Sequence, residues 1–473
     1  MINKERISRI GLIAGPALFA LAISIPIEGL TFEARVVLAT ALWMASWWIT
    51  EAIPIYATAL IPLALFPAFN VATFPQLAAS YADKIIFLFL GGFILAISIE
   101  KVGLHERIAL NAIKTFGTNP KSIVGAFVLA TGLISAWISN TATALMMLPI
   151  AASIIAQVRN ENERARFGTC LMLCVAYAAS LGGVATLIGT APNAVFASLS
   201  KSLINVDVNF VQWSLIGAPL SAICLAFAWW YMVNFGAKIS NEPIAKEKRV
   251  ILERLRQLGT LTRQEKIVAT IFAATVVAWI SRGVVWGKFV PMIDDSTIAI
   301  IAALALFAIP SGKGERVIDW ALTAKIPWGV LLLIGGGLAL ASGFTLTGLD
   351  KWVAERLVPA GTSDILLIIL LIVAFTIFSG EIISNTAGAA LMIPIGASIA
   401  TIVGVNPILI MLPIALASSF SFILPVGTPP NAIAYGSGYV TMRQMAKAGF
   451  PLDLFSIGIV TLIALLLVPL VFG

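Results

Sequence analysis

The chain has 473 residues, of which 59% are hydrophobic and only 11% are charged. The charged share is roughly half that of an ordinary soluble domain, and a water-soluble fold cannot bury so much apolar surface. These values exclude a soluble enzyme or binding module and predict a protein embedded in a lipid bilayer. The net charge of +7 does not indicate nucleic acid, because the basic residues lie in short connections rather than in one patch.

Uncharged, mostly apolar runs recur along the whole chain, and about 20 such residues cross the core of a bilayer. We predict an all-α polytopic membrane protein with about 11 transmembrane helices, because helices satisfy their own backbone in lipid. The runs are Ile10–Ile27, Val36–Thr50, Ala52–Ala82, Ile85–Ile99, Ser122–Val158, Phe167–Ser200, Val208–Ala237, Ile267–Ser281, Ser296–Gly312, Ile326–Leu349, Ile382–Met442 and Leu454–Gly473. The absence of a long transit segment favours a prokaryotic inner membrane.

The charges in the connections predict how the chain crosses the membrane. Cytoplasmic loops carry an excess of Lys and Arg, and the long connection 238–266 is the most basic one. With the N-terminus inside, this connection falls inside, the nearly neutral Arg282–Asp295 falls outside, and the C-terminus ends outside. We therefore divide the chain into an N-terminal segment with the first helix, a first repeat, a basic linker and a second repeat. Their bounds are 1–33, 34–237, 238–266 and 267–473.

Two short polar blocks occur twice in the chain, in the same order. Residues 139–142 (Ser-Asn-Thr-Ala) are repeated at 384–387, and 189–193 (Gly-Thr-Ala-Pro-Asn) are matched by 427–431 (Gly-Thr-Pro-Pro-Asn). Two matched blocks in one order are hard to attribute to chance. The two halves are therefore predicted to be structural repeats.

The glycine pairs Gly91–Gly92 and Gly336–Gly337 also align and indicate the orientation of the repeats. Between these two helices the chain makes an odd number of crossings, because any hairpin contributes either none or two. The repeats are therefore predicted to be inverted. Inverted repeats place a substrate site near the bilayer midplane, at their interface, and build it from broken helices.

Each Ser-Asn-Thr triad lies in the middle of a long apolar run. Ser and Asn are favoured helix N-caps, so each triad is predicted to end one helical arm and to begin the next with free N–H groups. We expect two re-entrant helical hairpins with the triads at their tips, although two full spans of about 27 Å per arm fit the same length. The Gly-Thr-x-Pro-Asn blocks are predicted to interrupt helices, so that carbonyls face a cation and helix starts face an anion.

These motifs resemble those of a known family. Residues 137–143 (Trp-Ile-Ser-Asn-Thr-Ala-Thr), the second triad and both Gly-Thr-x-Pro-Asn blocks look like the paired signatures of the divalent anion:sodium symporter family, as does 50–54 (Thr-Glu-Ala-Ile-Pro). The resemblance covers essentially the whole chain. It implies sodium-coupled import of C4-dicarboxylates of the succinate, malate and fumarate class, with no cofactor besides the coupling ions. It also implies a homodimer in which a transport domain moves like an elevator against a scaffold domain.

The same resemblance assigns two sets of site residues. The substrate carboxylates would contact Asn140, Thr141, Thr190, Pro192, Asn385, Thr386, Thr428 and Pro429. Sodium would be bound by Ser135, Ser139, Asn140, Gly189, Ser384, Asn385 and Gly427.

The electrostatics of the motifs agree with co-bound sodium. No Lys, Arg or His lies near them in the sequence, and an uncompensated dianion is expensive in hydrocarbon. Glu381, the one charge in its hairpin, is either a functional carboxylate or a structural hydrogen-bond acceptor. Ser135 aligns with Gly380, so we expect the second sodium site to lack a hydroxyl and to bind sodium less tightly. His105, the only histidine, is expected to be solvated.

Other classes of function fit less well. An intramembrane enzyme would need a nucleophile with a base or a metal cluster, and a lone loop histidine without buried lysines argues against one. A channel would not need matched anion and cation sites. Among carriers, a sodium-independent dicarboxylate exchanger and a sulfate or tricarboxylate carrier are the alternatives. Cys170, Cys174 and Cys224 lie inside apolar runs, as small core residues do.

Overall fold

The structure is a computed structural model that describes residues 4–115, 119–158, 160–237, 239, 247–312, 316–357 and 364–473. In these ranges the chain is helical apart from turns, loops and one isolated bridge between Pro310 and Arg316. The helices are α1 (Lys4–Ser24), α2 (Phe32–Thr50), α3 (Ile55–Thr58), α4 (Ile61–Ala68), α5 (Phe74–Ser80), α6 (Lys84–Lys101), α7 (Leu104–Lys114), α8 (Pro120–Ser135), α9 (Asn140–Ile155), α10 (Glu161–Gly183) and α11 (Ala191–Ile204).

The second part of the chain continues in the same way. Its helices are α12 (Phe210–Tyr231), α13 (Glu247–Leu258), α14 (Arg263–Ser281), α15 (Asp295–Ala308), α16 (Trp328–Thr347), α17 (Leu349–Leu357), α18 (Ile365–Gly380), α19 (Asn385–Val403), α20 (Ile408–Ala417), α21 (Pro429–Gly436) and α22 (Met442–Phe472). Short π-helical turns extend α12 and α14, at Met232–Gly236 and Arg282–Trp286. Over the described residues, eight helices are long and apolar enough to cross a membrane, which confirms the predicted all-α membrane fold.

Six consecutive helices, α6 to α11, have counterparts in the same order in α16 to α21. In each set a long helix is followed by a short amphipathic one and then by two helical arms joined at a Ser-Asn-Thr triad. The fifth helix ends before a Gly-Thr-x-Pro-Asn block, and the sixth helix begins within that block. In each set a glycine with positive φ directly precedes the second helix. This glycine is Gly103 (φ 74°) before α7 and Gly348 (φ 71°) before α17. The matched element order agrees with the repeats predicted from the sequence.

The helices differ strongly in how much of their surface is buried. Every residue of α10 from Phe167 to Gly183 is buried, as expected of a helix that is apolar on all sides. In contrast, only 17% of the apolar window in α14 is buried, so this helix presents its side chains outward. The interrupted helices α10 and α20 therefore form the interior of the protein, and α14 lies at its periphery.

The basic linker is only partly described, since 238 and 240–246 lie outside the described residues. Its described portion contains α13, which packs against α7. Arg107 joins α7 to the linker. Its guanidinium contacts the Glu265 carboxylate at 2.6 Å and donates to the Gly259 carbonyl at 2.8 Å. The linker is thus held against the first repeat by a charge-assisted contact.

Candidate functional site

The first triad forms the tip of a helical hairpin. α8 ends at Ser135, α9 begins at Asn140, and the two arms pack against each other. Ser139 caps α9, since its hydroxyl accepts a hydrogen bond from the Ala142 N–H at 3.3 Å. The N–H groups of the first helical turn have no partner within the helix. The Ser139 hydroxyl satisfies only that of Ala142, so the N–H groups of Asn140 and Thr141 can face an anion.

The second triad forms an equivalent tip between α18 and α19. α18 ends at Gly380, and α19 begins at Asn385 after the connection Glu381–Ser384. Ser384 holds the N-cap position but its side chain makes no capping hydrogen bond. Both triads therefore begin a helix where the sequence predicted, and the second tip keeps one more free donor than the first.

Each Gly-Thr-x-Pro-Asn block interrupts its helix, and its asparagine holds the interruption in shape. Asn193, fully buried, donates from its side-chain amide to the carbonyls of Gly183 at 3.2 Å and Thr186 at 2.8 Å. Asn431, also fully buried, donates in the same way to Ser421 at 2.9 Å and Leu424 at 3.2 Å. Segments 183–190 and 418–428, which we call break 1 and break 2, thus share one internal hydrogen-bond pattern; break 1 includes Gly183, the last residue of α10.

In the first repeat the hairpin tip contacts break 1 directly. The Ser135 hydroxyl lies 2.8 Å from the Asn140 side-chain oxygen and 2.6 Å from the Ala179 carbonyl. The Thr186 hydroxyl donates to the Ala136 carbonyl. A Cβ on Gly183 would lie 2.5 Å from the Asn140 oxygen, so glycine is needed there to admit the tip. A Cβ on Gly189 would in turn clash with the Gly183 carbonyl, so three predicted sodium ligands, Ser135, Asn140 and the Gly189 backbone, lie in one compact region.

In the second repeat the side chain that links the tip to the break belongs to the tip and not to the break. The Glu381 carboxylate accepts hydrogen bonds from the Ile423 N–H at 3.0 Å and the Leu424 N–H at 2.7 Å. Position 381 corresponds to 136 in the first repeat, and 424 corresponds to 186. A side chain of the tip thus holds the backbone of break 2, whereas a side chain of break 1 holds the backbone of the first tip. Glu381 thus acts as a structural hydrogen-bond acceptor, which is one of the two roles considered for it.

The repeats are joined crosswise around these tips. α11, which follows break 1, packs against α19, whose first residue is Asn385. Likewise α21, which follows break 2, packs against α9, whose first residue is Asn140. The second arm of each hairpin therefore has the post-break helix of the other repeat beside it.

The post-break helices begin with the predicted threonine and proline residues. Thr190 caps α11 in an extended conformation without a side-chain capping bond, and Pro192 lies in the first turn. Thr428 caps α21 and accepts from the Asn431 N–H at 3.3 Å, followed by Pro429. The Thr190 hydroxyl therefore makes no capping hydrogen bond, while the Thr428 hydroxyl has used one of its two lone pairs in the cap.

Two buried residues near break 2 were missed by the sequence analysis. Ser421 is completely buried, and its hydroxyl has no hydrogen-bond partner among the described residues. Asp453 on α22 is completely buried beside the Glu381 carboxyl group and the backbone of Phe422. The loss of Ser135 at Gly380 could have prompted a search for a replacement hydroxyl. Asp453 stands at the edge of the last apolar run and gave no comparable signal.

A cavity of about 290 Å³ adjoins the arms of the first hairpin. Its walls include Glu100, His105, Ile138, Ala142 and Thr143, so it extends from the α6–α7 connection toward the tip. His105 is half-buried rather than fully solvated, which is a correction to the expectation from the sequence. Burial lowers the pKa of His105 below its ordinary value, so the imidazole is neutral at neutral pH and adds no positive charge to this route.

The transmembrane region of sodium:sulfate symporters matches residues 7–472 of the chain. The chain belongs to this family, the divalent anion:sodium symporters. The match covers both hairpin tips and both breaks, and it confirms the family inferred from the doubled motifs.

Known members of the family are similar to the chain over almost its whole length. It is 40% identical to the sodium-dependent dicarboxylate transporter SdcS of Staphylococcus saprophyticus, covering 98% of this chain and 92% of that protein. The SdcS protein of Staphylococcus aureus strain bovine RF122 is 39% identical, with the same coverage. These relatives are transporters and not enzymes.

The fold is also found among solved structures. The crystal structure of the Alcanivorax borkumensis YdaH transporter superposes with a TM-score of 0.60 at 12% identity, covering 92% of this chain and 98% of that one. At this identity the likeness concerns the fold alone. It agrees with an all-helical membrane fold.

Proposed function

We propose that the chain is a secondary active transporter that imports C4-dicarboxylates together with sodium. The observation that carries the proposal is the pair of hairpin tips, each of which begins a helix with free N–H groups against the break of its own repeat. Relatives of the chain are named sodium-dependent dicarboxylate transporters. The two tips suit a ligand with two carboxylates, because each tip offers donors to one of them.

The anion would be held by uncharged donors. The N–H groups and side chains of Asn140 and Thr141 face one carboxylate, and those of Asn385 and Thr386 face the other. Thr190 and Thr428 add hydroxyls at the helix starts, where Pro192 and Pro429 shape the first turns. A dianion bound by dipoles alone in a low-dielectric interior stays under-compensated, so its binding depends on accompanying cations.

Sodium would bind between each tip and its break. On the first side the oxygens come from Ser135, Ser139, Asn140 and the Gly189 carbonyl. On the second side they come from Ser384, Asn385 and the Gly427 carbonyl. Oxygen ligands suit this hard cation, and a bound ion at each tip raises the affinity of the adjacent N–H groups for a carboxylate. This mutual dependence is the physical basis of coupling, because sodium and anion each stabilise the other's site.

The wider mechanism is part of the same proposal. We infer a homodimer whose transport domain, containing the tips and breaks, moves like an elevator against a scaffold domain. The basic linker and the N-terminus face the cytoplasm and the C-terminus faces outward, following the charge distribution. Among the eight membrane-spanning helices of the described residues, α1 and α14 have the smallest buried shares, 22% and 17%, as expected of helices at a lipid boundary.

Uptake into proteoliposomes tests this function. Purified protein should accumulate labelled succinate under an inward sodium gradient and not under a choline gradient, and unlabelled malate should compete while sulfate should not. Asn140→Ala and Asn385→Ala should each reduce the apparent affinity more than tenfold, since a lost hydrogen bond to a charged ligand costs about 1.5–3 kcal/mol. Counterflow of succinate that is indifferent to sodium would instead identify an exchanger.

A further inference from the structure

The two predicted sodium sites differ in one hydroxyl. In the first site Ser135 places its oxygen 2.8 Å from the side-chain oxygen of Asn140. In the second site the corresponding position is Gly380, which has no side chain. Taken alone, this difference leaves the second site one oxygen short.

The hydrogen bonds of the breaks show which residue faces each tip. Asn193 donates to the Gly183 carbonyl and Asn431 donates to the Ser421 carbonyl, so Gly183 and Ser421 are equivalent positions. The exchange is therefore double: the first repeat has serine on the tip and glycine on the break, and the second has glycine on the tip and serine on the break.

The geometry places the Ser421 hydroxyl beside the position that a side chain at 380 would occupy. A Cβ on Gly380 would lie 2.9 Å from the Ser421 hydroxyl oxygen, closer than the 3.4–4 Å of an ordinary contact. The Ser421 hydroxyl thus occupies the space that a side chain at 380 would need. Its Cβ also lies 3.0 Å from the position of a Cβ on Gly427, so the hydroxyl is located between the tip and break 2.

Two buried oxygens, one at the start of α19 and one in break 2, are unused. The Ser421 hydroxyl and the side-chain oxygen of Asn385 are both buried without a hydrogen-bond partner among the described residues. Leaving such atoms unpaired is costly. The Glu381 carboxylate reaches the same region, with one oxygen 3.1 Å from the position of a Cβ on Gly427, and makes it electronegative. Buried oxygens that lack donors beside a carboxylate are the environment that a hard cation requires.

We propose that Ser421 supplies the second sodium site with the hydroxyl ligand that Ser135 supplies to the first. The ligand has moved from the tip to the break, so both sites have the same number of side-chain oxygens. The inference rests on the sodium coupling proposed above. It replaces the expectation that the second site is weaker because of Gly380.

Sodium-dependent thermal stabilisation of the purified protein in detergent, without substrate, measures binding independently of transport. A ligand that binds the native state raises the melting temperature as its concentration passes the dissociation constant. Ser421→Ala should raise the sodium concentration for half-maximal stabilisation about tenfold, with choline as the salt control. Ser419→Ala is the matched control, because Ser419 is also buried and unpaired in break 2, and it should leave the midpoint unchanged.

A hydroxyl swap then tests the geometry. Gly380→Ser alone should weaken sodium binding through its clash with Ser421, and Ser421→Gly alone should weaken it through the lost ligand. The double variant reproduces the arrangement of the first repeat and should recover most of the affinity. Should Ser421→Ala fold poorly, Ser421→Cys keeps the volume and offers only a soft ligand, which suits sodium badly.

The outcomes separate the two proposals. If sodium stabilises the wild type but Ser421→Ala has an unchanged midpoint, or the double variant binds no better than Ser421→Gly, Ser421 is not a ligand and the sodium-coupled function stands. If sodium stabilises the wild type no more than choline does, the proposed coupling and this inference are both wrong.

Discussion

Replacing Gly183 with alanine isolates the contact between the first tip and break 1. The new methyl carbon would lie 2.5 Å from the side-chain oxygen of Asn140 and 3.2 Å from its carbon and nitrogen. To restore an ordinary separation the carboxamide must retreat by roughly 1 Å, because the packed interior offers little room elsewhere. That movement separates the Asn140 oxygen from the Ser135 hydroxyl, which is 2.8 Å away.

Two separate effects, one on stability and one on binding, follow from Gly183→Ala. Overpacking costs about 1–3 kcal/mol of stability, which lowers the melting temperature by a few degrees for a protein of this size. The displaced oxygen is also a predicted ligand of sodium and neighbour of the anion, and losing such a contact costs about 1.5–3 kcal/mol of binding free energy. The apparent affinity for sodium should therefore fall tenfold or more.

Two measurements check this prediction: thermal unfolding in detergent and succinate uptake at graded sodium concentrations. Gly388→Ala, in the first turns of α19, is the matched control because a Cβ there meets nothing within 4 Å. It should be neutral or slightly stabilising, since alanine is the better helix former. A Gly183→Ala protein with wild-type sodium dependence would show that Asn140 is not held against break 1 in the working transporter.

Two further expectations concern the shape of the breaks and the orientation of the chain. Asn193→Ala and Asn431→Ala should each destabilise the protein by about 1–3 kcal/mol, because each leaves two carbonyls without their buried donor; unchanged melting of both would contradict the shared clamp. A cysteine at Gln257 should react with an impermeant thiol reagent only from the cytoplasmic side, and one at Met292 only from outside. Labelling in the reversed pattern would overturn the predicted orientation, in which the basic linker faces the cytoplasm.

Local chemistry was enough to place the helix ends at the site. Ser139 and Ser384 precede the first residues of α9 and α19, and the proline-containing blocks begin α11 and α21. Capping residues and prolines act through their own backbone and immediate neighbours, so their effects can be predicted without a fold. The doubling of these motifs likewise indicated the repeats and the family before any tertiary contact was known.

Contacts between distant segments required the tertiary structure. The sequence aligned Ser135 with Gly380 and indicated a missing hydroxyl, but Ser421 reaches the same place from another segment. Glu381 left two roles open until its partners in break 2 were found at Ile423 and Leu424. The sequence pattern shows which residues occupy equivalent positions in the two repeats. The oxygens of a cation site come from separate segments, and only the packing of tip against break brings those segments together.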